Sequence, residues 1–291
     1  SFCDLIYRHP SDVTKIEDIP FLPIQFFKTR KVLSSTEEID EEFTSSGTTG
    51  SITSKHLVTD IALYEESYLR GFHHFYGDIK EYVVLALLPN YLERKGSSLV
   101  YMVNDLIQKT QNPESGFYLN NLDDLAQKLI KLDKGGQKIL LIGVSFALLD
   151  LVEKYQFNLK NTVVMETGGM KGRRKELIRS ELHAILSKGF AVNEIHSEYG
   201  MTELLSQGYS KGNGIFETPP WMKVLTRDTE DALTILDKGK TGGINVIDLA
   251  NYNSCSFIAT QDLGKVYNNN TFEIIGRFDN SDIRGCNLMV L

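Results

Sequence analysis

Hydrophobic and polar positions follow two alternating patterns from residue 82 to about residue 200. Short apolar runs of strand length are separated by longer stretches in which apolar residues recur at helical spacing. The predicted strands are Tyr82–Leu88, Lys138–Gly143, Thr162–Glu166 and Asn193–His196, and the predicted helices are Asp60–Phe75, Ser97–Lys109, Leu122–Leu132, Phe146–Tyr155 and Arg173–Lys188. Strands spaced by helices predict right-handed crossovers and a largely parallel sheet with helices on its faces.

Three residues mark the predicted ends of these helices. Thr59 and Asn121 each precede a helical pattern, in the position of a residue that caps a helix N-terminus. Gly189 follows the last predicted helix and is expected to be its C′ residue, because glycine adopts the left-handed conformation without strain.

The pattern changes after about residue 211. The runs Trp221–Thr226, Ala232–Leu236, Gly243–Ile247, Ser256–Thr260, Lys265–Tyr267 and Phe272–Ile275 are short, rich in β-forming residues and separated by Gly, Asn or Asp. They predict a β-rich antiparallel subdomain packed on the α/β layer. We therefore expect an α/β fold in two parts, with residues 1–210 as the α/β core and residues 211–291 as the β-rich subdomain.

Composition narrows the classes of protein to which the chain can belong. The 291 residues are 42% hydrophobic and carry a net charge of −7, without a basic track, so we expect no nucleic-acid partner. The longest apolar run, Ile139–Leu149, is too short to span a bilayer. Three widely spaced cysteines (Cys3, Cys255 and Cys286) and the lack of a signal peptide at the start predict a reducing cytoplasmic location.

The stretch Thr44–Ser51 reads Thr-Ser-Ser-Gly-Thr-Thr-Gly-Ser. Glycines let backbone N–H groups approach an anion closely, and hydroxyl groups add further donors, so this composition suits a polyphosphate. The stretch is not a Walker A loop, because no Lys-Ser/Thr pair closes it at the required spacing. On composition alone, a solvated flexible loop is the more common outcome.

The segment Ser197–Glu203 (Ser-Glu-Tyr-Gly-Met-Thr-Glu) follows the last predicted strand of the parallel sheet. Ligands of such sheets bind outside the carboxyl ends of the strands, so this segment is expected to border a site. Other interpretations stay open: Thr202 and Glu203 also suit the start of a helix, and Tyr199 suits a core position.

Two further polar segments occur near the end of the chain. They read Thr260-Gln261-Asp262-Leu263-Gly264 and Gly276-Arg277-Phe278-Asp279. Taken alone, Asp262 is suited to a turn and Arg277 to a surface ion pair.

The four segments together resemble the adenylate-forming superfamily, which contains the acyl-CoA synthetases. The order is a Ser/Thr/Gly loop, Tyr-Gly-x-Thr-Glu, Thr-x-Asp-Leu-Gly and Gly-Arg-x-Asp, and the resemblance extends from about Ile19 to Leu291. The segments Ile19–Lys28, Gly168–Lys171 and Ile283–Met289 resemble the acyl-protein synthetase branch, which is typified by the synthetase component of the bacterial luciferase fatty-acid reductase.

The resemblance implies ATP and Mg²⁺ as cofactors and assigns a role to each matching residue. The implied phosphate-binding residues are Ser45, Ser46, Gly47, Thr48, Thr49 and Gly50; the implied nucleoside-binding residues are Tyr199, Gly200, Asp262 and Arg277. Thr202 would donate to the α-phosphate, and Glu203 would bind Mg²⁺. The acyl pocket would be lined by Gly168, Gly169, Met170 and His196, although His196 also suits a core position. Thr53 stands where the family often has lysine.

The end of the sequence departs from the larger relatives. Asp279 falls where those enzymes hinge to a mobile C-terminal lid, and only twelve residues follow it, so we expect no lid domain in this chain. In acyl-protein synthetases the acyl group passes from AMP to a cysteine near the C-terminus and then to a partner reductase. Cys286 is the candidate acyl carrier, and Arg284 could lower the pKa of its thiol; a small buried cysteine is the alternative.

The expected function is AMP-forming activation of a fatty or aromatic carboxylic acid, followed by acyl transfer to a thiol. That thiol could belong to the chain itself, to CoA or to an acyl-acceptor protein. Two alternatives stay open. One is an acid–CoA or acid–amine ligase of the phenylacetate-CoA ligase or phenazine-pathway kind, and the other is a degenerate nucleotide-binding module without catalysis.

Overall fold

A sheet of twelve strands runs through the computed structural model, which describes residues 2–45, 52–89, 96–119, 121–168 and 177–277. The strands are β1 Leu22–Pro23, β2 Glu41–Thr44, β3 Lys55–Val58, β4 Val83–Leu87, β5 Gly116–Tyr118, β6 Ile139–Val144, β7 Thr162–Thr167, β8 His196–Tyr199, β9 Gly208–Ser210, β10 Ile215–Glu217, β11 Met222–Arg227, β12 Thr241–Asp248, β13 Phe257–Val266 and β14 Phe272–Arg277. The helices are α1 Phe2–Leu5, α2 Phe26–Thr29, α3 Ile61–Tyr76, α4 Ser98–Thr110, α5 Leu122–Lys134, α6 Ser145–Lys154 and α7 Arg179–Phe190. β2 and β3 form a separate hairpin sheet.

The first half of the large sheet is parallel. Its strands lie in the order β5-β4-β6-β7-β8, and one helix separates each pair of consecutive strands along the chain. Every residue of β4 and β6 is buried, as expected for parallel strands covered on both faces. The predicted α/β layer is confirmed, and the carboxyl ends of its strands lie at one edge.

The second half of the sheet is antiparallel. It continues from β8 through β9, β10, β14, β13 and β12 to β11, and β1 pairs in parallel with β13. β8 is therefore the strand at which the parallel and antiparallel halves meet. The predicted antiparallel strands are confirmed, whereas a domain boundary at residue 210 stays a prediction, because the sheet itself is continuous there.

The first turns of two helices show how polar side chains set their starts. Asn121 accepts a hydrogen bond from Asp124 N over 3.3 Å, so the predicted cap of α5 is confirmed. The predicted cap of α3 is wrong by one residue, because Asp60 and not Thr59 takes that position. The Asp60 carboxylate accepts from Ala62 N over 3.1 Å, and a carboxylate is a stronger acceptor than a hydroxyl.

Gly189 lies inside α7 and is not its C′ residue, contrary to the sequence expectation. Ala191 ends the helix in the left-handed conformation, with φ of 55°. The glycine serves packing instead, because a Cβ at Gly189 would lie 2.4 Å from the Val152 Cβ of α6. Close approach of α6 and α7 therefore depends on the missing side chain.

The antiparallel strands also differ in detail from the sequence expectation. The predicted strands at residues 256–260 and 265–267 are parts of the single strand β13, which bulges between Leu263 and Gly264. Ala232–Leu236 is not a strand and contributes only an isolated bridge between Arg227 and Ile235. β9 and β10 were not predicted, because three residues are too few to establish a period.

None of the helices in the described ranges is long and apolar enough to cross a membrane.

The packing of α6 on α7 yields a test with a matched control. Gly189→Ala should lower the free energy of unfolding by about 1–2 kcal/mol, because overpacking outweighs the gain in helix propensity. Gly71→Ala in α3 is the control, since no atom lies within 4 Å of its added Cβ. We expect that change to be neutral or stabilising in urea denaturation. A loss of equal size in both variants would contradict the packing role of Gly189.

Candidate active site

The hydroxyl-rich stretch lies between the two strands of the β2–β3 hairpin. The ladder ends at the pair Thr44 and Lys55. Ser45 N then donates to Ser54 O over 3.0 Å, and Ser54 N donates to the Ser45 hydroxyl over 2.8 Å. The two described residues that flank the rest of the stretch, Ser45 and Ser54, are therefore bonded to each other. Its other predicted members, Ser46, Gly47, Thr48, Thr49 and Gly50, lie outside the described residues.

His56 of β3 connects the hairpin to the Tyr-Gly-x-Thr-Glu segment through hydrogen bonds. The two ring nitrogens of this fully buried histidine lie 2.8 Å from Thr202 O and 2.9 Å from Asn251 Oδ1. Asn251 in turn donates its amide to Glu203 O over 2.8 Å. Burial lowers the pKa of His56, and the two hydrogen bonds oppose that shift. The carbonyl groups of Thr202 and Glu203 are thus fixed from the side of the hairpin.

Glu203 is a buried carboxyl at the base of the hairpin, with 5% of the residue exposed. Burial raises its pKa, whereas a hydrogen bond with the Ser54 side chain and the charges of Arg277 and Lys28 oppose the shift. Among the described residues there is no group of three or more His, Cys, Asp or Glu that could hold a metal ion alone. One carboxylate still fits Mg²⁺, which takes its other ligands from phosphates and water.

The segment that carries Thr202 and Glu203 is a turn and does not begin a helix. Buried Asp248 holds its end, because its carboxylate accepts from Leu205 N over 2.8 Å and from Ser206 N over 2.9 Å. The helix-start interpretation of Thr202 and Glu203 is therefore wrong. Sequence reasoning did not find His56, Asn251 or Asp248, since none of them belongs to a motif. The sequence marks them only as polar residues in or beside an apolar strand.

Tyr199, Asp262 and Arg277 come together at the start of the antiparallel half. The Tyr199 hydroxyl donates to Asp262 Oδ2 over 2.8 Å, and Asp262 lies opposite Arg277 in the β13–β14 ladder. The Tyr199 ring packs edge-on against Phe216 and Phe272. Asp262 lies within β13, so its interpretation as a turn residue is wrong.

Arg277 connects the two groups of residues. Burial raises the pKa of Asp262, and the Tyr199 hydroxyl, Arg277 and Arg227 oppose that shift. The charge of Arg277 acts in the same sense on Glu203. The charge of one exposed guanidinium therefore acts on two motifs that are about 60 residues apart in the sequence, and Arg277 also donates to Gln261 Oε1 over 3.2 Å.

The residues predicted to line an acyl pocket are only partly described. Gly168 follows β7, and its carbonyl accepts from the Ser145 hydroxyl over 2.8 Å. His196 contacts the Tyr76 hydroxyl over 3.1 Å, and burial lowers the pKa of this imidazole to about 4. His196 and Tyr199 lie three residues apart on one strand and so occupy opposite faces of the sheet. Gly169, Met170 and Cys286 lie outside the described residues.

Gly200 lies against the side chain of Glu198. A Cβ at Gly200 would be 2.4 Å from Glu198 Oε1, so glycine is needed for this approach. The Thr167 hydroxyl donates to Glu198 Oε2 over 2.5 Å. Burial raises the pKa of Glu198 to about 7, with a smaller contribution from Glu166, while the bond from Thr167 opposes the shift.

A cavity of about 720 Å³ lies elsewhere, between α3, the end of α4 and Trp221. Ile79 and Gln111 border it, and they precede β4 and β5, so the cavity is at the amino edge of the parallel strands. His73, His74 and Lys109 are basic residues in the last turns of α3 and α4, where they stabilise helix dipoles. We therefore place the candidate site at the carboxyl edge of the parallel strands.

Because burial raises the pKa of Glu198, we predict that its contribution to the stability of the fold decreases as the pH rises. Its pKa is about 7 in the folded state and about 4.5 as the ordinary value. Between these values the folded protein holds a proton that the unfolded chain releases, so stability from this group is present at low pH and is lost as the pH rises through 7.

Glu198→Gln should therefore gain stability relative to the wild type as the pH rises, by about 2 kcal/mol at pH 8 after allowance for partial exposure. His196 is common to both proteins, so its contribution cancels. The control is Glu217→Gln, at an exposed position. Its difference in stability from the wild type should not change with pH. Urea unfolding at pH 5 to 8 measures these differences, and a flat difference for Glu198→Gln would contradict the buried, protonated carboxyl.

Comparisons with known proteins show what the sequence and the fold of this chain are similar to. No family model matches the chain. The chain is 25% identical to a long-chain-fatty-acid–luciferin-component ligase of Aliivibrio fischeri, with coverage of 97% of this chain and 81% of the relative. It is 24% identical to the protein of the same name from Vibrio harveyi, with coverage of 95% and 78%.

Solved structures share the fold at low sequence identity. ATP-bound MatB from Rhodopseudomonas palustris matches 84% of this chain with a TM-score of 0.62 and 16% identity. A long-chain-fatty-acid–CoA ligase from Archaeoglobus fulgidus matches 83% with a TM-score of 0.61 and 14% identity. The chain spans about half the length of these structures, 49% and 52% respectively. The resemblance to the adenylate-forming superfamily and its acyl-protein synthetase branch is thus confirmed: the chain is similar in sequence to the long-chain-fatty-acid–luciferin-component ligases and shares the fold of the adenylate-forming enzymes.

Proposed function

We propose that this chain is an acid ligase that activates a carboxylic acid with ATP. The acid would attack the α-phosphate, an acyl-adenylate would form, and pyrophosphate would leave. The observation that supports the proposal is that Glu203 hydrogen-bonds with Ser54 of the β2–β3 hairpin, while the charge of Arg277 acts on both Glu203 and Asp262. The names of the two relatives favour a long-chain fatty acid as the substrate.

Asp262 and Tyr199 would bind the nucleoside. An ionised carboxylate accepts hydrogen bonds from both ribose hydroxyls, and Asp262 is the carboxylate that would bind the ribose in this way. Tyr199 holds Oδ2 and so fixes the direction of the whole carboxylate. Arg277 is exposed beside it and would contact the ribose or a phosphate. Tyr199 and Gly200 would border the adenine.

The hairpin and the Thr202–Glu203 turn would bind the triphosphate. Ser45, Ser46, Gly47, Thr48, Thr49 and Gly50 would supply hydroxyl and backbone donors to the β- and γ-phosphates. Thr202 would donate to the α-phosphate, and Glu203 would hold Mg²⁺, which neutralises developing charge when it is bound. His56 and Asn251 would keep both residues in place, because they fix the adjacent carbonyl groups. Such positioning accounts for most of the catalysis in phosphoryl chemistry.

The activated acyl group would then pass to a thiol of Cys286, CoA or a carrier protein. Gly168, Gly169, Met170 and His196 would border the acyl chain. Cys255 is a poor alternative nucleophile, because burial raises the pKa of its thiol and its Sγ lies 3.3 Å from Phe257 O. ATP-bound and AMP-bound structures with this fold support the use of a nucleotide.

ATP–pyrophosphate exchange tests the adenylation step, because nucleotide binding alone cannot produce it. We expect exchange that depends on an added fatty acid and on Mg²⁺. Glu203→Gln should reduce the exchange rate by about 10²-fold, since the loss of one charge that stabilises the transition state has effects of that size. Exposed Glu230→Gln should leave it unchanged. Nucleotide binding without exchange for any acid would identify a noncatalytic module and overturn the proposal.

Labelling with a radioactive fatty acid tests the acyl acceptor. If Cys286 carries the acyl group, the wild-type protein becomes labelled in the presence of ATP, and Cys286→Ala loses the label while it retains pyrophosphate exchange. Cys255→Ala is the matched control and should remain labelled. Undiminished labelling of Cys286→Ala would contradict the acceptor role, and transfer to added CoA instead would favour an acid–CoA ligase.

A further inference from the structure

Arg227 is a buried cation that the proposed reaction does not use directly. It is the last residue of β11, the edge strand of the sheet, and only 6% of it is exposed. Its Nη1 donates to Ile244 O over 2.7 Å and to Asn245 Oδ1 over 2.8 Å. Its Nη2 donates to Thr260 O over 2.6 Å. The side chain thus reaches from β11 across β12 to the backbone of β13.

A glycine makes this path possible. Gly243 lies opposite Arg227 in the β11–β12 ladder, and a Cβ there would lie 2.7 Å from the guanidinium carbon. The ladder of β12 and β13 shifts register just after Gly243, between it and Asn245. The absence of a side chain and the irregular ladder together leave room for the guanidinium inside the sheet layer.

The guanidinium is bonded to the segment of β13 that carries Asp262. The carbonyl oxygen of Thr260 accepts from Nη2, and Thr260 lies two residues before Asp262, where the pairing of β13 with β12 is irregular. Asp262 N also donates to the Thr260 hydroxyl over 3.1 Å. Burial lowers the pKa of Arg227 to about 10, and Asp262 opposes that shift. The two charges therefore offset each other's burial.

We propose that Arg227 is a positioning residue of the nucleotide site, whose guanidinium fixes the irregular part of β13 that carries Asp262 and places a buried positive charge on that segment. The part concerning the ribose rests on the proposed function. The electrostatic part concerns this chain alone and can be tested without a ligand.

Three ionisable groups face Asp262 from the surrounding strands. Tyr199 of β8 donates a neutral hydroxyl, because burial raises its pKa well above the usual value. Arg277 of β14 is exposed, so water and salt screen its charge. Arg227 of β11 is buried, so its charge is screened much less. Both cations favour the ionised form of Asp262, and the share supplied by Arg227 should persist at high salt.

The consequence for binding follows from the chemistry of the carboxyl group. An ionised carboxylate offers acceptors to both ribose hydroxyls, whereas a protonated one presents an O–H donor on one side. Without Arg227, the Asp262 carboxyl would bind its proton more tightly. Nucleotide affinity would then fall at a higher pH than in the wild type.

The direct test is titration of Asp262 by carbon NMR of protein labelled at the aspartate carboxyl groups, with Asp262→Asn to assign the signal. We expect Arg227→Gln to raise the pKa of Asp262 by at least one unit, a tenfold change in proton affinity. Arg227→Lys retains the charge without the planar fork and should stay within half a unit of the wild type. An unchanged pKa in Arg227→Gln would overturn the proposal.

The surface variant Arg277→Gln keeps the proposal testable if Arg227→Gln does not fold. With the exposed cation removed, the pKa of Asp262 should respond little to added salt, because the buried charge of Arg227 is then the cation that acts on it. A pKa of Asp262 that rises steeply with salt in that variant would show that screened charges supply the effect and would overturn the role of Arg227.

Calorimetric titration with AMP between pH 5 and 8 separates this inference from the proposed function. We expect the acid limb of AMP affinity to move up by the same amount as the pKa of Asp262 in Arg227→Gln. A wild-type protein that binds no nucleotide would refute the proposed function, while the NMR titration would still decide the role of Arg227. A shift in the pKa of Asp262 without a shift in the AMP profile would refute the link to ribose binding.

Discussion

The burial of acidic side chains where the parallel half of the sheet meets the antiparallel half is the constraint on which the candidate site depends. Glu203 and Asp248 are buried and Asp262 is partly buried, and desolvation raises the pKa of each. A desolvated carboxyl is costly unless hydrogen bonds or cations compensate for it. Asp248 is satisfied by the backbone of residues 205 and 206. Glu203 and Asp262 each have one side-chain hydrogen bond, with Ser54 and Tyr199 respectively, and are further compensated by cations, which include Arg277 for both. These two carboxyls can therefore accept further positive charge or donors.

The topology explains why these groups meet. Parallel strands bring the ends of β7 and β8 to one edge, and the antiparallel strands that follow turn Asp262 and Arg277 back toward the same place. The β2–β3 hairpin joins them through His56 and not through the large sheet. A ligand that touches the hairpin and Asp262 would therefore connect two sheets, which is the arrangement expected of a long molecule such as ATP.

Periodicity in the sequence was sufficient to predict the parallel layer, because buried strands and amphipathic helices of ordinary length leave clear patterns. It placed α4 within one residue at either end and identified Asn121 as a cap. It failed where packing decided the outcome. The sequence pattern predicts that Gly189 ends a helix. In the structure Gly189 lies inside the helix, and its lack of a side chain lets α7 pack closely on Val152. The motifs indicated Tyr199, Glu203 and Asp262, but His56 and Arg227 act through contacts with residues far away in the sequence, and a single sequence carries no signal for such pairs.

The central claim is that one ATP molecule bridges the hydroxyl hairpin and Asp262. A crystal structure with Mg²⁺ and a non-hydrolysable ATP analogue tests it most directly. We predict density for the ribose against Asp262 and for the phosphates between Ser45 and Glu203. Density confined to the cavity beside Trp221, or phosphates directed away from the hairpin, would contradict the account.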